Sequence, residues 1–547
     1  MFRSTIVLLA TCCTPAMAAQ YFVDPAGSDA NPGSAAQPWL TLQQAADQVG
    51  PGDRVTVRQG EYVGFHLNHG GAAGMPIEFV AEAGAVISTR NPTTPDGINL
   101  EGASHVVIDG FEVVGMPRAG VRTVGPFSGG AQSFAQHVAI RNVTSTDNGK
   151  WGILTGFVDD LLIENNRTSG SIDEHGIYVG NSGDRPVIRN NRVWGNRANG
   201  IHVNSDVNSG LDGVIEGAII SGNIIYDNGL GGGSGINMDG VINSRVENNL
   251  LYNNHASGVS LYQIDGALPS TGNVVANNTI LQASDARWAL NLQDGATNTT
   301  VANNILLSEH PFRGAIDASP DSLAGLSSDH NVVLDRFTTD GGDSVRTLAQ
   351  WRTLTGGDSH SFVSTAADLF VDPAAGDYRL KAASPARDAG WNAQAPATDL
   401  RGALRDTGAA ADIGAYEWLR IGDYNNDGAV DAADYTTWRD AVGQTGRLPN
   451  DDTGGAVGQG QYDAWKAQFG AASGATGGGV PEPAAWPLLL TACGATLGVR
   501  LHFAGRLVSV ISSVGPSSSG GPSSIPGGSP RSTRPTHASN GRGAPSK

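Results

Sequence analysis

Two short phrases recur through the middle of this chain, and their spacing is too small for any self-sufficient domain. The first is an apolar residue, two variable positions and Asn: Ile163-Glu164-Asn165-Asn166, Ile188-Arg189-Asn190-Asn191, Ile220-Ser221-Gly222-Asn223, Val246-Glu247-Asn248-Asn249, Val275-Ala276-Asn277-Asn278 and Val301-Ala302-Asn303-Asn304. The second begins at Gly152, Gly176, Gly200, Gly235, Gly258 and Ala289, at intervals of 24, 24, 35, 23 and 31 residues. A unit of this size cannot bury its own apolar face, so the units must stack into a solenoid. Each holds two or three short strands with period-two alternation, separated by Gly and Asn turns. That pattern predicts an all-β solenoid, a parallel β-helix.

Glycine is abundant, at 75 of 547 residues, which suits a backbone that turns every few positions. Net charge is −18, and the only lysines are Lys150, Lys381, Lys466 and Lys547. Nucleic acid is therefore excluded as a partner, since phosphate binding needs basic density. Arg3, the apolar run Ile6 to Ala10 and the small-x-small site Ala16-Met17-Ala18 predict an export signal over residues 1–18. Removing it takes Cys12 and Cys13 and leaves Cys493 alone, so no intramolecular disulfide is expected.

Leu42, Ala45, Ala46 and Val49 follow helical spacing behind a Thr41 N-cap. Such a helix covers the open apolar end of a solenoid. Coils are expected from about residue 54 to about 335, with insertions at 208–216 and 264–272 and a closing segment over 365–418. Insertions collect on one face and often mark the binding side.

In the second phrase, Ile177, Val179, Ile201, Val203, Ile236, Met238, Val259, Leu261, Leu290 and Leu292 alternate inward. The intervening column faces out as Leu154, Tyr178, His202, Asn237, Ser260 and Asn291. Flanking columns bring Asn204, Asp239 and Tyr262 on one side, and Trp151, His175 and Trp288 on the other. Strands about 4.8 Å apart would align these into a polar strip with aromatics at intervals. Trp151, Tyr178, Asn204, Asn237, Tyr262, Trp288 and Asn291 are its candidate sugar-binding residues. The second Asn of the first phrase, from Asn166 to Asn304, is expected to form an internal hydrogen-bonded ladder.

Beyond the solenoid, Asp423, Asn425, Asp427, Asp431 and Asp434 fall at positions 1, 3, 5, 9 and 12 of a loop with Gly428 at position 6. With the Ala429 carbonyl this is a Ca²⁺ ligand set, followed by a helix from Ala433 to Val442. The loop resembles a dockerin-type repeat, over residues 419–472. Tyr462-Asp463-Ala464-Trp465 repeats Tyr435-Thr436-Thr437-Trp438 at an offset of 27, which puts Asn450, Asp452, Gly454, Gly458 and Gln461 at the second loop's ligand positions. That second loop is expected to bind Ca²⁺ weakly or not at all. The resemblance implies either a cohesin-like partner or a structural Ca²⁺ clip.

Residues 20–418 resemble the secreted right-handed parallel β-helix proteins of the pectate-lyase-like superfamily. The resemblance rests on the opening Tyr21-Phe22-Val23-Asp24-Pro25 with Thr41-Leu42-Gln43-Gln44-Ala45-Ala46, and on the closing Leu369-Phe370-Val371-Asp372-Pro373 and Asp412-Ile413-Gly414-Ala415-Tyr416-Glu417-Trp418. After a linker at 473–483, Val480-Pro481-Glu482-Pro483 and the apolar run that follows, over 484–506, resemble a PEP-CTERM sorting signal. That implies a surface-sorting partner, transient membrane contact and a Gram-negative cell surface or exterior. Residues 507–547 are rich in Ser, Gly, Pro and Arg and read as disordered.

Together these features predict a carbohydrate-active protein. In a Ca²⁺-assisted polysaccharide lyase, Lys150, His175 or His202 can take the proton α to a uronate carboxylate, while Glu174, Asp206 and Asp239 hold the cation. In a glycoside hydrolase, Glu174 and Asp239 are the carboxylate pair. The third alternative is a non-catalytic glycan-binding or structural adhesin on the same scaffold.

Overall fold

The structure is a computed structural model that describes residues 18–405, 408–446 and 448–470. The export signal up to residue 17, the 473–483 linker, the 484–506 segment, the tail and Cys493 lie outside the described residues.

Three parallel sheets, of 12, 12 and 11 strands, wind around one core. Each coil gives one strand to each sheet, as in Val187–Arg189, Arg192–Trp194 and Ile201–Ser205. We call these the first, second and third sheets. Alternation sets the facing: Ile177, Ile201, Ile236, Val259 and Leu290 are registered neighbours on consecutive third-sheet strands, each fully buried.

The stack is longer than the 54–335 expected from the repeats. Gln20–Val23 pairs with Arg54–Val57 as the first rung. Phe362–Val363 pairs with Val332–Val333 as the last strand of the second sheet. Long insertions separate these rungs from their neighbours in sequence and hide the period.

The expected N-terminal cap is the helix Leu42–Gln48, with the Thr41 hydroxyl accepting from Gln44 N and with Leu42, Ala45 and Ala46 buried. A second cap was not foreseen. The helix Leu348–Thr355 closes the other end, with the fully buried Trp351 stacked on Phe337 at 5.1 Å.

The Asn pairs divide two tasks. The second Asn of each forms the ladder: Asn166 donates to Asn191 Oδ1, Asn191 to Asn223, Asn223 to Asn249, Asn249 to Asn278, Asn278 to Asn304, and Asn304 to Asn331. Each also donates to a carbonyl of the preceding coil, as Asn223 does to Ile188 O. A shorter second ladder links Asn196, Asn228 and Asn254. The first Asn takes a left-handed backbone, with φ of 57° at both Asn165 and Asn190, a conformation Asn tolerates.

Where the closing segment crosses the coils, those left-handed residues grip it. Asn248 donates to Thr398 O, Asn277 to Asp412 O, and Asn303 to Trp391 O. Leu369, Phe370, Leu380 and Ile413 of this segment pack on Leu250, Ile305 and Leu307 of the second sheet.

The helices Ala432–Ala441 and Gln459–Gln468 form the small module after the solenoid. Their pseudo-symmetry follows the 27-residue offset: Trp438 Nε1 donates to Gly458 O and Trp465 Nε1 to Asp431 O, both at 2.8 Å.

Candidate functional site

The outward row of the third sheet runs from His66, Asn99 and Arg122 through Leu154, Tyr178, His202, Asn237, Ser260, Asn291 and Asp317 to Thr338, one residue per strand. Parallel register places these side chains on one strip, as the alternation requires.

Lys150, Trp151, Glu174, His175, Tyr178, His202 and Asn204 converge midway along the strip. Lys150 Nζ lies 3.9 Å from Glu174 Oε1 and 5.2 Å from the centre of the Trp151 ring. The His175 and Tyr178 rings stack at 5.5 Å, and Tyr178 meets His202 edge-on at 5.2 Å. Asn204 Nδ2 donates to the Tyr178 hydroxyl oxygen, which leaves the phenolic proton to donate elsewhere. Burial raises the Tyr178 pKa, so the phenol stays neutral.

The two histidines form a chain of fixed tautomers. Asn199 donates its backbone N–H to His175 Nδ1, so the ring proton sits on Nε2. That nitrogen lies 3.1 Å from His202 Nδ1, which accepts, and the second proton is therefore on His202 Nε2. His202 Nε2 is shielded from solvent and has no acceptor among the described residues. Burial lowers the pKa of both rings, that of His175 to about 4. Neither lone pair faces the strip. Of the three base candidates, this geometry leaves Lys150 at the surface, beside Glu174.

Asp239 keeps its expected column between Asn204 and Tyr262 but not its expected role. Its carboxylate, 1% exposed, accepts the backbone N–H groups of Ile264, Asp265 and Gly266 and so pins the insertion between them. At 1% exposure and covered by the loop it holds, this carboxylate is closed to a ligand on the strip and does not serve there as one of a hydrolytic pair. Asp206 likewise caps a turn, accepting from Asn208 N. Trp288 is a second correction: at 3% exposure it is buried, with the later loop at Gly342 packed against its ring, and it offers no face for stacking.

A groove of about 310 Å³ opens further along the strip. Asn237, Tyr262 and Asn291 line it as expected, with Ser234, Ser260 and Gln293 from the same columns and Arg287 added by the fold. Asn237 Nδ2 donates to the Tyr262 hydroxyl, and Gln293 Nε2 to Asn291 Oδ1. Arg287 makes no ion pair among the described residues. The one sequence signal for it is an arginine flanking a strand in a lysine-poor chain. Asp317, buried and with its pKa raised by that burial, was also missed because its coil lacks the Gly-led phrase.

In the small module, the first loop gathers Asp423, Asn425, Asp427, Asp431 and Asp434 around Gly428, whose φ is 88°. Asp423 and Asp434 are buried at 1% and 0% exposure, and burial together with neighbouring carboxylates raises both pKa values. Two buried carboxylates, with Asn425, Asp427 and Asp431 exposed beside them, form an oxygen donor set that fits a hard dication, with the Ala429 carbonyl as a further oxygen ligand. The second loop is different. Gln461 stands where Asp434 stands in the first, and its amide donates to Asp451 Oδ2 and Gly454 O at 3.3 and 3.2 Å. Position 12 is thus a donating amide, and Asp452 is the one carboxylate among the loop's five ligand positions. Asn450, aligned to a ligand position, instead reaches across to Asp423 O and Asn426 Oδ1.

This architecture defines a right-handed parallel β-helix protein. The family model described as "Right handed beta helix region" matches residues 89–211 and 171–319. Among solved structures, the chain is similar to pectate lyase Pel9A at 16% identity and a TM-score of 0.49, over 73% of this chain and 96% of that one. It is similar to a rhamnogalacturonan lyase at 17% identity and a TM-score of 0.42, over 57% and 87%. It is also similar to an alginate lyase from Paenibacillus sp. str. FPU-7 at 20% and 0.38, over 50% and 94%. Likeness at this level assigns no reaction. Comparison with curated proteins gives no significant match.

Proposed function

We propose that this protein is an extracellular or surface-attached polysaccharide lyase acting on an acidic polysaccharide along the third-sheet strip. The observation that carries the reading is the convergence of Lys150, Glu174, Tyr178 and Asn204 beside Trp151, in line with the groove at Asn237, Tyr262 and Arg287. Side chains repeat along the strip about every 4.8 Å, a spacing comparable to one sugar unit of a linear polymer. Arg287 lies five coils from Lys150, about 24 Å along the strip, so it supplies a cation for the carboxylate of a different sugar unit and anchors the polymer. Lys150, as the base, takes the hydrogen α to the carboxylate of the sugar beside it, the bond from the β carbon to the glycosidic oxygen breaks, and the neutral Tyr178 phenol protonates that departing oxygen. The buried His175–His202 pair supports Tyr178 from beneath. Ca²⁺ belongs to the Asp423–Asp434 loop in this reading, as a structural clip.

Incubation of the mature chain with pectate, alginate and sulfated glycans tests the proposal, read as ultraviolet absorbance of unsaturated products. Product with at least one acidic glycan is expected, and its absence on all of them ends the lyase reading. The commitment of Asp239 to backbone N–H groups removes one member of the hydrolytic pair, so the second reading is an adhesin: retention on an acidic-glycan column without turnover is its signature.

A further inference from the structure

The left-handed position between the first and second sheets is Asn in coil after coil, with φ of 56° at Asn248, 53° at Asn277 and 58° at Asn303, and then becomes His330 at 55°. His330 Nδ1 donates to Ala389 O at 2.9 Å. A carbonyl only accepts, so the ring proton sits on Nδ1 and Nε2 keeps its lone pair. On the next coil the His360 ring stacks on that of His330, with centroids 4.6 Å apart and planes 17° apart. His360 Nδ1 lies 2.7 Å from Asp329 Oδ2, which fixes the same tautomer. Asp329 is itself held by the backbone N–H groups of His330 and His360 and by the Ser359 hydroxyl. Imidazoles that bind metals nearly always have their second nitrogen fixed in this way, by a backbone carbonyl or a carboxylate. One ligating atom from each of Asp329, His330 and His360 lies within 4.8 Å of the other two.

We propose that His330 and His360 bind a transition-metal dication of the Zn²⁺ class through their Nε2 atoms, with Asp329 as the carboxylate that orients His360 and offsets the charge. Solvent completes the coordination. Zn²⁺ needs its nitrogens at about 2.0–2.1 Å, and the exposed His360 side chain has room to turn to that geometry. Imidazole donors separate this site from the all-oxygen loop at Asp423, which selects hard cations. Because His330 also holds the Ala389 carbonyl, bound metal would fasten the closing segment to the last coils.

The test is a calorimetric titration of ZnCl₂ into the full chain, with saturating Ca²⁺ present to fill the Asp423 loop. One Zn²⁺ bound per chain is expected, with imidazole scattering in the zinc-edge X-ray absorption spectrum. His330→Asn installs the residue that other coils carry at this turn, and His360→Ala lies on an exposed ring. Each abolishes binding while leaving the circular dichroism spectrum and the metal-free melting temperature unchanged. Asp329→Asn weakens affinity about 10- to 100-fold. No zinc uptake by the wild type overturns the proposal, as does zinc uptake that survives both His330→Asn and His360→Ala.

Discussion

His175 Nε2 and His202 Nδ1 face each other across 3.1 Å on neighbouring coils, and the N–H of Asn199 fixes the direction of the proton chain between them. The pair lies beneath the Tyr178 ring, so its protonation state is tied to the shape of the strip. Burial lowers the His175 pKa from 6.5 to about 4 and also lowers that of His202. Between those pH values the unfolded chain binds more protons than the folded one, so stability rises with pH. The contribution is complete above pH 6.5 and is lost as pH falls toward 4. For His175 it is on the order of 3 kcal/mol. Urea unfolding across this range measures it, and His175→Gln should flatten the slope. An unchanged slope in that variant would refute the assignment.

The Asn ladder predicts an asymmetry between neighbouring residues. Asn223→Ala strands the Asn191 N–H and the Ile188 carbonyl in the core. Each orphaned group costs about 1–3 kcal/mol, so a loss of roughly 3 kcal/mol or more is expected for the pair. Asn165→Gly, at an exposed left-handed turn, should change stability by less than about 0.5 kcal/mol. Equal losses from the two changes would show that the ladder is not what satisfies the turns.

Arg405 joins the closing segment to the coils, donating to Asn248 Oδ1 at 2.7 Å and to Glu417 Oε2 at 3.2 Å. Burial holds the Glu417 and Asp412 carboxyls above their ordinary range. Removing the guanidinium leaves buried carboxyls without their cation. Arg405→Met should therefore cost about 3–5 kcal/mol, and hydrogen exchange should quicken over 386–417. Protection equal to wild type there would mean that the apolar contacts of Ile413 and Leu380 suffice.

The amide of Gln461 predicts one Ca²⁺ for the small module, not two. Calorimetry with the full chain should give one site, removed by Asp434→Asn, with EGTA lowering the melting temperature of the helix pair. Gln461→Glu replaces the donating amide with a carboxylate and should admit a second, weaker ion. Two sites in the wild type would contradict the role given to Gln461.

On the active polysaccharide, Lys150→Ala and Tyr178→Phe should each lower kcat by about 10²- to 10⁴-fold. Trp151→Ala and Arg287→Ala should act mainly on KM. Full kcat in Lys150→Ala would move the proton transfer to another group.

Period-two alternation and short repeats were enough to specify coils, the inward column from Ile177 to Leu292 and the outward row beside it, because each is set by backbone geometry within one strand. The N-terminal helix was legible for the same reason, from Thr41 and four apolar positions. The gathering of Asp423, Asn425, Asp427, Asp431 and Asp434 in one turn was legible because all five lie within twelve residues of chain. What the alternation could not tell is where a side chain's hydrogen bonds go. Asp239 and His202 are both outward residues, yet one is consumed by a loop 25 residues away and the other has its Nε2 atom hidden from solvent. Trp288 reads as an exposed platform until a later loop covers it. The pairing of His330 with His360, and the grip of Asn277 on Asp412, join residues 30 and 135 apart in the chain. Local periodicity fixes which way a residue points. Only the stacked coils and the segment laid across them fix what it meets there, since burial and hydrogen-bond partners come from chain remote in sequence.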